Sequence, residues 1–129
     1  MARKVLASSR VLCHNRVMNY QNILLSTDSG ITTITLNRPD KRNALSLDVL
    51  NELTDAFQKT AASNARGVIL AANGPVFSAG HNFGDMAGAT LEETRHVFQV
   101  CTDMMNAMQV MPQPPVSYTH LRAHETVLD

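Results

Sequence analysis

Six consecutive apolar residues, Gly67 to Ala72 (GVILAA), constrain this chain more than any other feature of it. A strand with one wet face alternates apolar and polar side chains. An unbroken apolar run reads instead as a strand buried on both faces, the habit of inner strands in parallel sheets. Parallel neighbours cannot be joined by a tight turn, so a crossover, usually helical, is expected beside the run.

The sequence supplies one on each side. Upstream, Ser46 can cap a helix running to about Thr60, with Leu47, Leu50, Leu53 and Phe57 on one face. Asp55 and Lys59 are placed to pair one turn apart. Downstream, Thr90-Leu91-Glu92-Glu93 has the order of a capping box and opens a longer helix. Val97, Cys101, Met104, Met108 and Met111 step along one side of it, and Pro112, Pro114 and Pro115 end it. Met104, Met105, Met108 and Met111, with Met86 ahead of the helix, read as core filling and not as a metal or cofactor box. Earlier still, Ile23-Leu24-Leu25, the turn residues Asp28-Ser29-Gly30 and the alternating Ile31 to Leu36 predict a hairpin, stopped by Pro39. The order β-β-α-β-α is an α/β pattern with a single inner parallel strand. The GVILAA strand is therefore expected to lack a neighbour on one side, an edge prone to aggregation.

At 129 residues there is room for one domain, and 44% hydrophobic with 17% charged residues excludes a disordered or collagen-like chain. No apolar run reaches the ~18 residues of a membrane span. Eleven basic and eleven acidic side chains balance, which leaves no overall footprint for nucleic acid. The balance hides an asymmetry. Met1 to Thr27 holds Arg3, Lys4, Arg10 and Arg16 and no acid, with Ser8 and Ser9 among them. That is the pattern of a mitochondrial transit peptide, so residues 1–19 are expected to be presequence and the location mitochondrial. Cys13 would leave with it, and Cys101 would stay as a reduced core thiol. Two cysteines make no disulfide framework.

The stretch Asn73 to Phe83 follows the apolar run and leads toward a helix. Its small residues let backbone approach a ligand closely, and Gly80 permits angles that aim the next amide outward. An amide aimed into a dry pocket can stabilise the oxyanion of a thioester enolate. The same composition suits a tight structural loop equally well. A Walker loop is excluded, because five residues separate Gly74 from Gly80 and no lysine follows. A nucleophile elbow is excluded too, since Ser78 lacks the flanking glycines.

Taken together, LNRPDKRNAL (Leu36 to Leu45) and the downstream PVFSAGHNF (Pro75 to Phe83) resemble the crotonase, or enoyl-CoA hydratase/isomerase, superfamily. The resemblance runs from about Tyr20 to Val116. It implies an α/β fold, the N-terminal part of a crotonase-like ββα superhelix, left incomplete. It also implies a role in fatty-acid and acyl-CoA metabolism, with a coenzyme A thioester as substrate or ligand and no covalently bound cofactor. Full-length members form trimer-based homo-oligomers, an assembly not expected of a chain this short. By the family pattern the main-chain N–H of His81 is one of two oxyanion-hole donors, and its imidazole is not required. Ala79, Asn82 and Phe83 would line the acyl-CoA channel. Lys41, Arg42 and Ala44 would cradle the nucleotide end of coenzyme A; the two cations suit phosphates, and equally suit a solvated turn. Members usually carry Asp where Asn82 stands, and Asn keeps the hydrogen-bonding shape while losing the charge.

Beyond Val116 the family continues into a strand and a Gly-rich turn that supplies the second donor, and hydratases draw their catalytic glutamates from there onward. Residues 117–129 (SYTHLRAHETVLD) are polar, lack glycine and look like translated adapter sequence. The expected division is thus residues 20–116 as a partial acyl-CoA-binding domain and 117–129 as a non-native tail. His120 and His124, four apart beside Glu125, mimic a zinc pair, but no H-E-x-x-H order and no third ligand accompany them, so no metal is expected. Three readings follow: a lineage that in full form polarises an acyl-CoA thioester, a truncated fragment of it without activity, and a short isoform that binds acyl-CoA or partners full-length copies. Losing one oxyanion donor costs ~10²–10³ in rate and losing the acid/base groups another ~10²–10⁴. This chain is therefore expected to be inactive.

Overall fold

The computed structural model describes residues 20–117. The expected presequence, and the tail beyond Ser117 with His120 and His124, lie outside the described residues.

Strands β1 (Ile23–Asp28) and β2 (Ile31–Leu36) form the expected antiparallel hairpin. Its two turn residues, Ser29 and Gly30, take φ of 52° and 81°, the left-handed pair whose twist matches that of the flanking strands. Arg66 clasps this turn, its main-chain N–H donating to Gly30 O at 2.7 Å and its guanidinium to Ser29 O at 2.8 Å. A 3₁₀ turn (Pro39–Lys41) then leads to helix α1 (Leu47–Ala61), where Ser46 Oγ accepts from Val49 N–H as the N-cap. Strand β3 (Gly67–Ala72) follows, then a second 3₁₀ turn (Phe83–Asp85) and helix α2 (Leu91–Val110). Both halves of the capping box are present: Glu93 Oε2 accepts from Thr90 N–H at 2.7 Å, and Thr90 Oγ1 from Glu93 N–H at 3.2 Å. Hydrogen bonding from Thr90, main chain first and then side chain, holds the Glu93 carboxyl below its ordinary pKa.

The apolar run is not left without a neighbour. α2 stops at Val110, just ahead of Pro112, and the chain then enters a short strand, β4 (Pro115–Ser117), parallel to β3 with Val68 opposite Pro115 and Leu70 opposite Ser117. The sheet order is β1-β2-β3-β4, with β2 and β3 parallel and joined by α1, and β3 and β4 parallel and joined by α2. Ser117, the first residue of the stretch read as foreign, is thus the last residue of a strand.

Burial corrects a second expectation, that β3 is covered on both faces. Along β2, Thr32, Ile34 and Leu36 are buried while Ile31, Thr33 and Thr35 are half-buried. Four of their β3 partners follow suit, Val68 and Ala72 buried and Ile69 and Ala71 half-buried, while Gly67 is buried and Leu70 half-buried. One face packs on the core with Val49, Leu50, Leu53, Ala56 and Phe57 of α1 and with Met104 and Met111. The opposite face carries Leu24, Thr35 and Val116, and Leu24 and Val116 are exposed. The run is apolar throughout because β3 is an inner strand, but the described helices cover only one side. Met104 and Met111 fill the core as read, and Met108 and Met86 are half-buried. Met105 does not; it points to solvent at 46% exposure. Cys101 is half-buried and free.

Two ties that sequence reading did not find hold α1 to its neighbours. The Glu52 carboxylate accepts from the main-chain N–H groups of Gln21 and Asn22 and from Asn22 Nδ2, pinning the entry to β1. The buried Gln113 donates through Nε2 to Thr60 O at 3.1 Å, one of the last carbonyls of the helix.

Beside Glu52, the Tyr20 hydroxyl donates to Asp55 Oδ2 at 2.6 Å and Lys59 Nζ lies 2.7 Å from the same oxygen. Lys59 first, then Tyr20, lowers the Asp55 pKa from 3.8. A carboxyl with a depressed folded-state pKa stabilises the fold above its unfolded value, and that contribution fades as pH falls through the folded value. Thermal melts of the chain and of Asp55→Asn should therefore differ above about pH 4 and converge on further acidification. Parallel curves at all pH values would rule the tie out as a source of stability.

Candidate functional site

The two loops singled out in the sequence leave the sheet side by side. β2 and β3 are parallel, and Leu36 is in register with Ala72, so both loops start from the carboxyl ends of adjacent strands. In open α/β sheets that is where ligands bind. Asn73 N–H donates to Leu36 O at 2.9 Å and Asn73 Nδ2 to Asn37 Oδ1 at 3.0 Å, zipping the two exits together.

Further out the loops are held by Asn43. Its side chain is 2% exposed, and the residue sits at φ 51° beside Arg42 at 53°. Asn43 Nδ2 donates to Asn73 O at 2.8 Å and to Val76 O at 2.9 Å, and Asn43 Oδ1 accepts from Arg38 N–H at 2.8 Å. The Asn43 carbonyl in turn accepts from Ser78 Oγ at 2.9 Å, and Ser78 Oγ accepts from Gly80 N–H at 3.1 Å. Sequence reading gave Asn43 no role and weighed Ser78 only as a nucleophile. The available signal was a lone Asn inside the first motif, able to donate and accept at once.

This scaffold sets the amide of His81. Leu45 pairs with His81 as a single parallel bridge: Leu45 N–H donates to Gly80 O at 2.7 Å, and Asn82 N–H donates to Leu45 O at 3.3 Å. In a parallel ladder one residue of the pair makes both bonds, and its partner turns its own N–H and C=O to the other side. Here the partner is His81. Gly80, at φ 84°, makes the bend; nothing lies within 4 Å of where its Cβ would stand, so backbone angle and not space calls for glycine. Ala79 N–H donates to Arg42 O at 2.9 Å. With those on either side engaged, the His81 N–H has no acceptor among the described residues.

The other expected residues fall unevenly around this amide. Ala79 is exposed and Ala44 half-buried; Ala44 follows Arg42 and Asn43 in the same tight loop, its N–H on Lys41 O. Lys41 and Arg42 are exposed, and neither joins a salt bridge among the described residues. Asn82 acts on its own loop, where its Oδ1 accepts from Gly84 N–H at 3.0 Å and caps the second 3₁₀ turn. Phe83 is 78% exposed. The His81 ring packs edge-to-face on Phe98 of α2, centroids 5.3 Å apart.

Beyond this turn an open cavity of about 450 Å³ is lined by Leu47, Asp85, Glu92, Glu93, His96 and Val97. Asp85 Oδ2 accepts from Leu47 N–H at the start of α1, Glu93 closes the capping box and Glu92 pairs with Arg95 at 3.3 Å. All three carboxylates are already engaged.

Residues 26–120 match the family described as enoyl-CoA hydratase/isomerase. The chain is 37% identical over 90 residues to rat enoyl-CoA hydratase domain-containing protein 3, mitochondrial, covering 68% of itself and 30% of the relative. It is 38% identical over 93 residues to the human protein of that name, with the same coverage. A crystal structure of enoyl-CoA hydratase from Mycobacterium smegmatis superposes with a TM-score of 0.73 at 40% identity, over 75% of this chain and 39% of that one. The human domain-containing protein 3 superposes at 0.67 with 33% identity, over 75% and 39%. The chain thus spans about a third of the length of the curated relatives it matches.

If Asn43 is the clamp, Asn43→Ala should lower unfolding stability by on the order of 3 kcal/mol, since it removes three hydrogen bonds of about 1 kcal/mol each. Urea titration measures this, and a loss below about 1 kcal/mol would show the loops to be held by other contacts.

Proposed function

This chain belongs to the enoyl-CoA hydratase/isomerase family, and from that premise we propose that it carries the first part of an acyl-CoA site, with the His81 main-chain N–H as an oxyanion donor to the thioester carbonyl. The observation that carries the reading is the unengaged amide itself. A strand bridge and a left-handed glycine hold it in place, so no reorganisation is needed when negative charge develops on a ligand oxygen. Lys41 and Arg42, exposed on the neighbouring loop and clear of ion pairs among the described residues, would take the phosphates of coenzyme A, with Ala44 and Ala79 leaving room for close approach. Asn82 and Phe83 would border the acyl group. No resident metal or covalent cofactor enters the reading.

The family's second donor and the acid/base glutamates belong to the segment following β4, and nothing in residues 20–117 substitutes for them. The 129-residue chain would accordingly bind an acyl-CoA without hydrating an enoyl-CoA. We further propose a place in mitochondrial acyl-CoA metabolism. The acid-free, Arg-bearing opening and the mitochondrial names of the relatives support it.

Calorimetric titration with butyryl-CoA should give saturable binding, weakened roughly fivefold to tenfold in Lys41→Ala/Arg42→Ala as two phosphate contacts are lost. Crotonyl-CoA should be hydrated no faster than in buffer. Turnover of crotonyl-CoA would refute the inactivity, and the absence of saturable binding would refute the acyl-CoA site.

A further inference from the structure

We propose that the His81 side chain also binds the ligand: its Nδ1 is a second hydrogen-bonding atom for the thioester carbonyl, beside the residue's own main-chain N–H. This inference rests on the acyl-CoA reading above and deepens it.

Three observations lead to it. First, His81 Nδ1 is buried and has no hydrogen-bond partner among the described residues. Buried polar atoms of native proteins are nearly always paired, so an unpaired one in a candidate site marks a place for a ligand atom. Second, the ring is not loose. It stands edge-on to Phe98 with an interplanar angle of 72°, which fixes the direction of its nitrogens. Third, the neighbouring polar side chains are spoken for. Ser78 Oγ bridges Asn43 O and Gly80 N–H, and Asn82 Oδ1 caps Gly84. From Ser78 to Asn82, His81 Nδ1 is the one buried side-chain nitrogen or oxygen without a hydrogen-bond partner among the described residues.

The chemistry is consistent with one ligand group. Nδ1 and the main-chain N–H belong to the same residue, and a single ligand oxygen is taken to meet both. A thioester carbonyl offers two lone pairs and accepts from both when the imidazole carries its proton on Nδ1. The adenine and phosphate end of coenzyme A is assigned to the Lys41–Ala44 loop, so the imidazole would distinguish a thioester from free coenzyme A.

The test is calorimetric titration of the 129-residue chain with butyryl-CoA and, separately, with free coenzyme A. Loss of one hydrogen bond in a dry site should weaken butyryl-CoA binding about tenfold in His81→Ala and leave coenzyme A binding unchanged. His81→Asn, whose amide reaches the position of Nδ1, should restore most of the loss, and His81→Gln, which reaches that of Nε2, should not. Far-ultraviolet circular dichroism reports whether each variant keeps its helices. Should His81→Ala unfold, the contrast between the Asn and Gln variants decides. Equal affinity for butyryl-CoA in those two, or equal losses for both ligands in His81→Ala, would overturn the imidazole's role. If coenzyme A and butyryl-CoA both fail to bind the unaltered chain, the acyl-CoA reading itself falls. Binding of both with no dependence on His81 sinks this inference alone.

Discussion

One buried amide group holds the two site loops at a fixed separation. Asn43 joins the chain before its own loop to the exit of β3 through three side-chain hydrogen bonds, and its carbonyl anchors Ser78. Each such bond adds only about 1 kcal/mol net. All three are made by one buried side chain, so they are kept or lost together, and this makes Asn43 a constraint. Everything at the site follows in sequence: Asn43 fixes Ser78, Ser78 accepts from Gly80, Gly80 bends the chain, and the Leu45 bridge turns the His81 amide outward.

That chain of contacts would have nothing to join if the loops did not emerge together. Their proximity comes from the sheet. The α1 crossover makes β2 and β3 parallel, and the register of Leu36 with Ala72 places both exits at one edge. The apolar run of β3 is the origin of this arrangement, because an inner parallel strand requires a crossover on each side and a partner on each edge. Sequence reading foresaw the crossovers but not the second partner. Three exposed residues hemmed by prolines carry no strand pattern of their own, and β4 exists only because β3 offers it a ladder.

How much was legible follows from the range of each interaction. The Ser46 cap, the Thr90–Glu93 capping box, the hairpin turn and the Asp55–Lys59 pair are formed between residues within about one helical turn of each other, and all appear as read. The limits of β3 appear as read because hydrophobicity marks them directly. Asn43, Glu52 and Gln113 escaped notice, since their partners lie 30 to 53 residues away and an isolated polar side chain looks the same whether it is solvated or buried. Met105 misled for the converse reason: methionine suits core and surface alike, and its place one residue past Met104 turns it some 100° away from the packed face. At the site, the motifs located both loops, but spacing alone could not tell which amide would be left without an acceptor. That depended on the Leu45 bridge.

The substitution at position 82 illustrates how far main chain and side chain are separated here. An Asp at this place would bring a charge, and its replacement by Asn could be taken as the loss of a functional carboxylate. The side chain's contact is an acceptor bond from Gly84 N–H, and amide and carboxylate oxygens both accept there, as both do at helix N-caps. Asn82 therefore holds the second 3₁₀ turn, and with it the position of Asp85 against the start of α1, and brings no negative charge beside the His81 amide. A fixed anion beside an oxyanion donor opposes the charge that the donor is there to stabilise. With Asn at 82 the proposed donor has a neutral side chain as its neighbour, and the charge at this position no longer weighs against an anionic oxygen there.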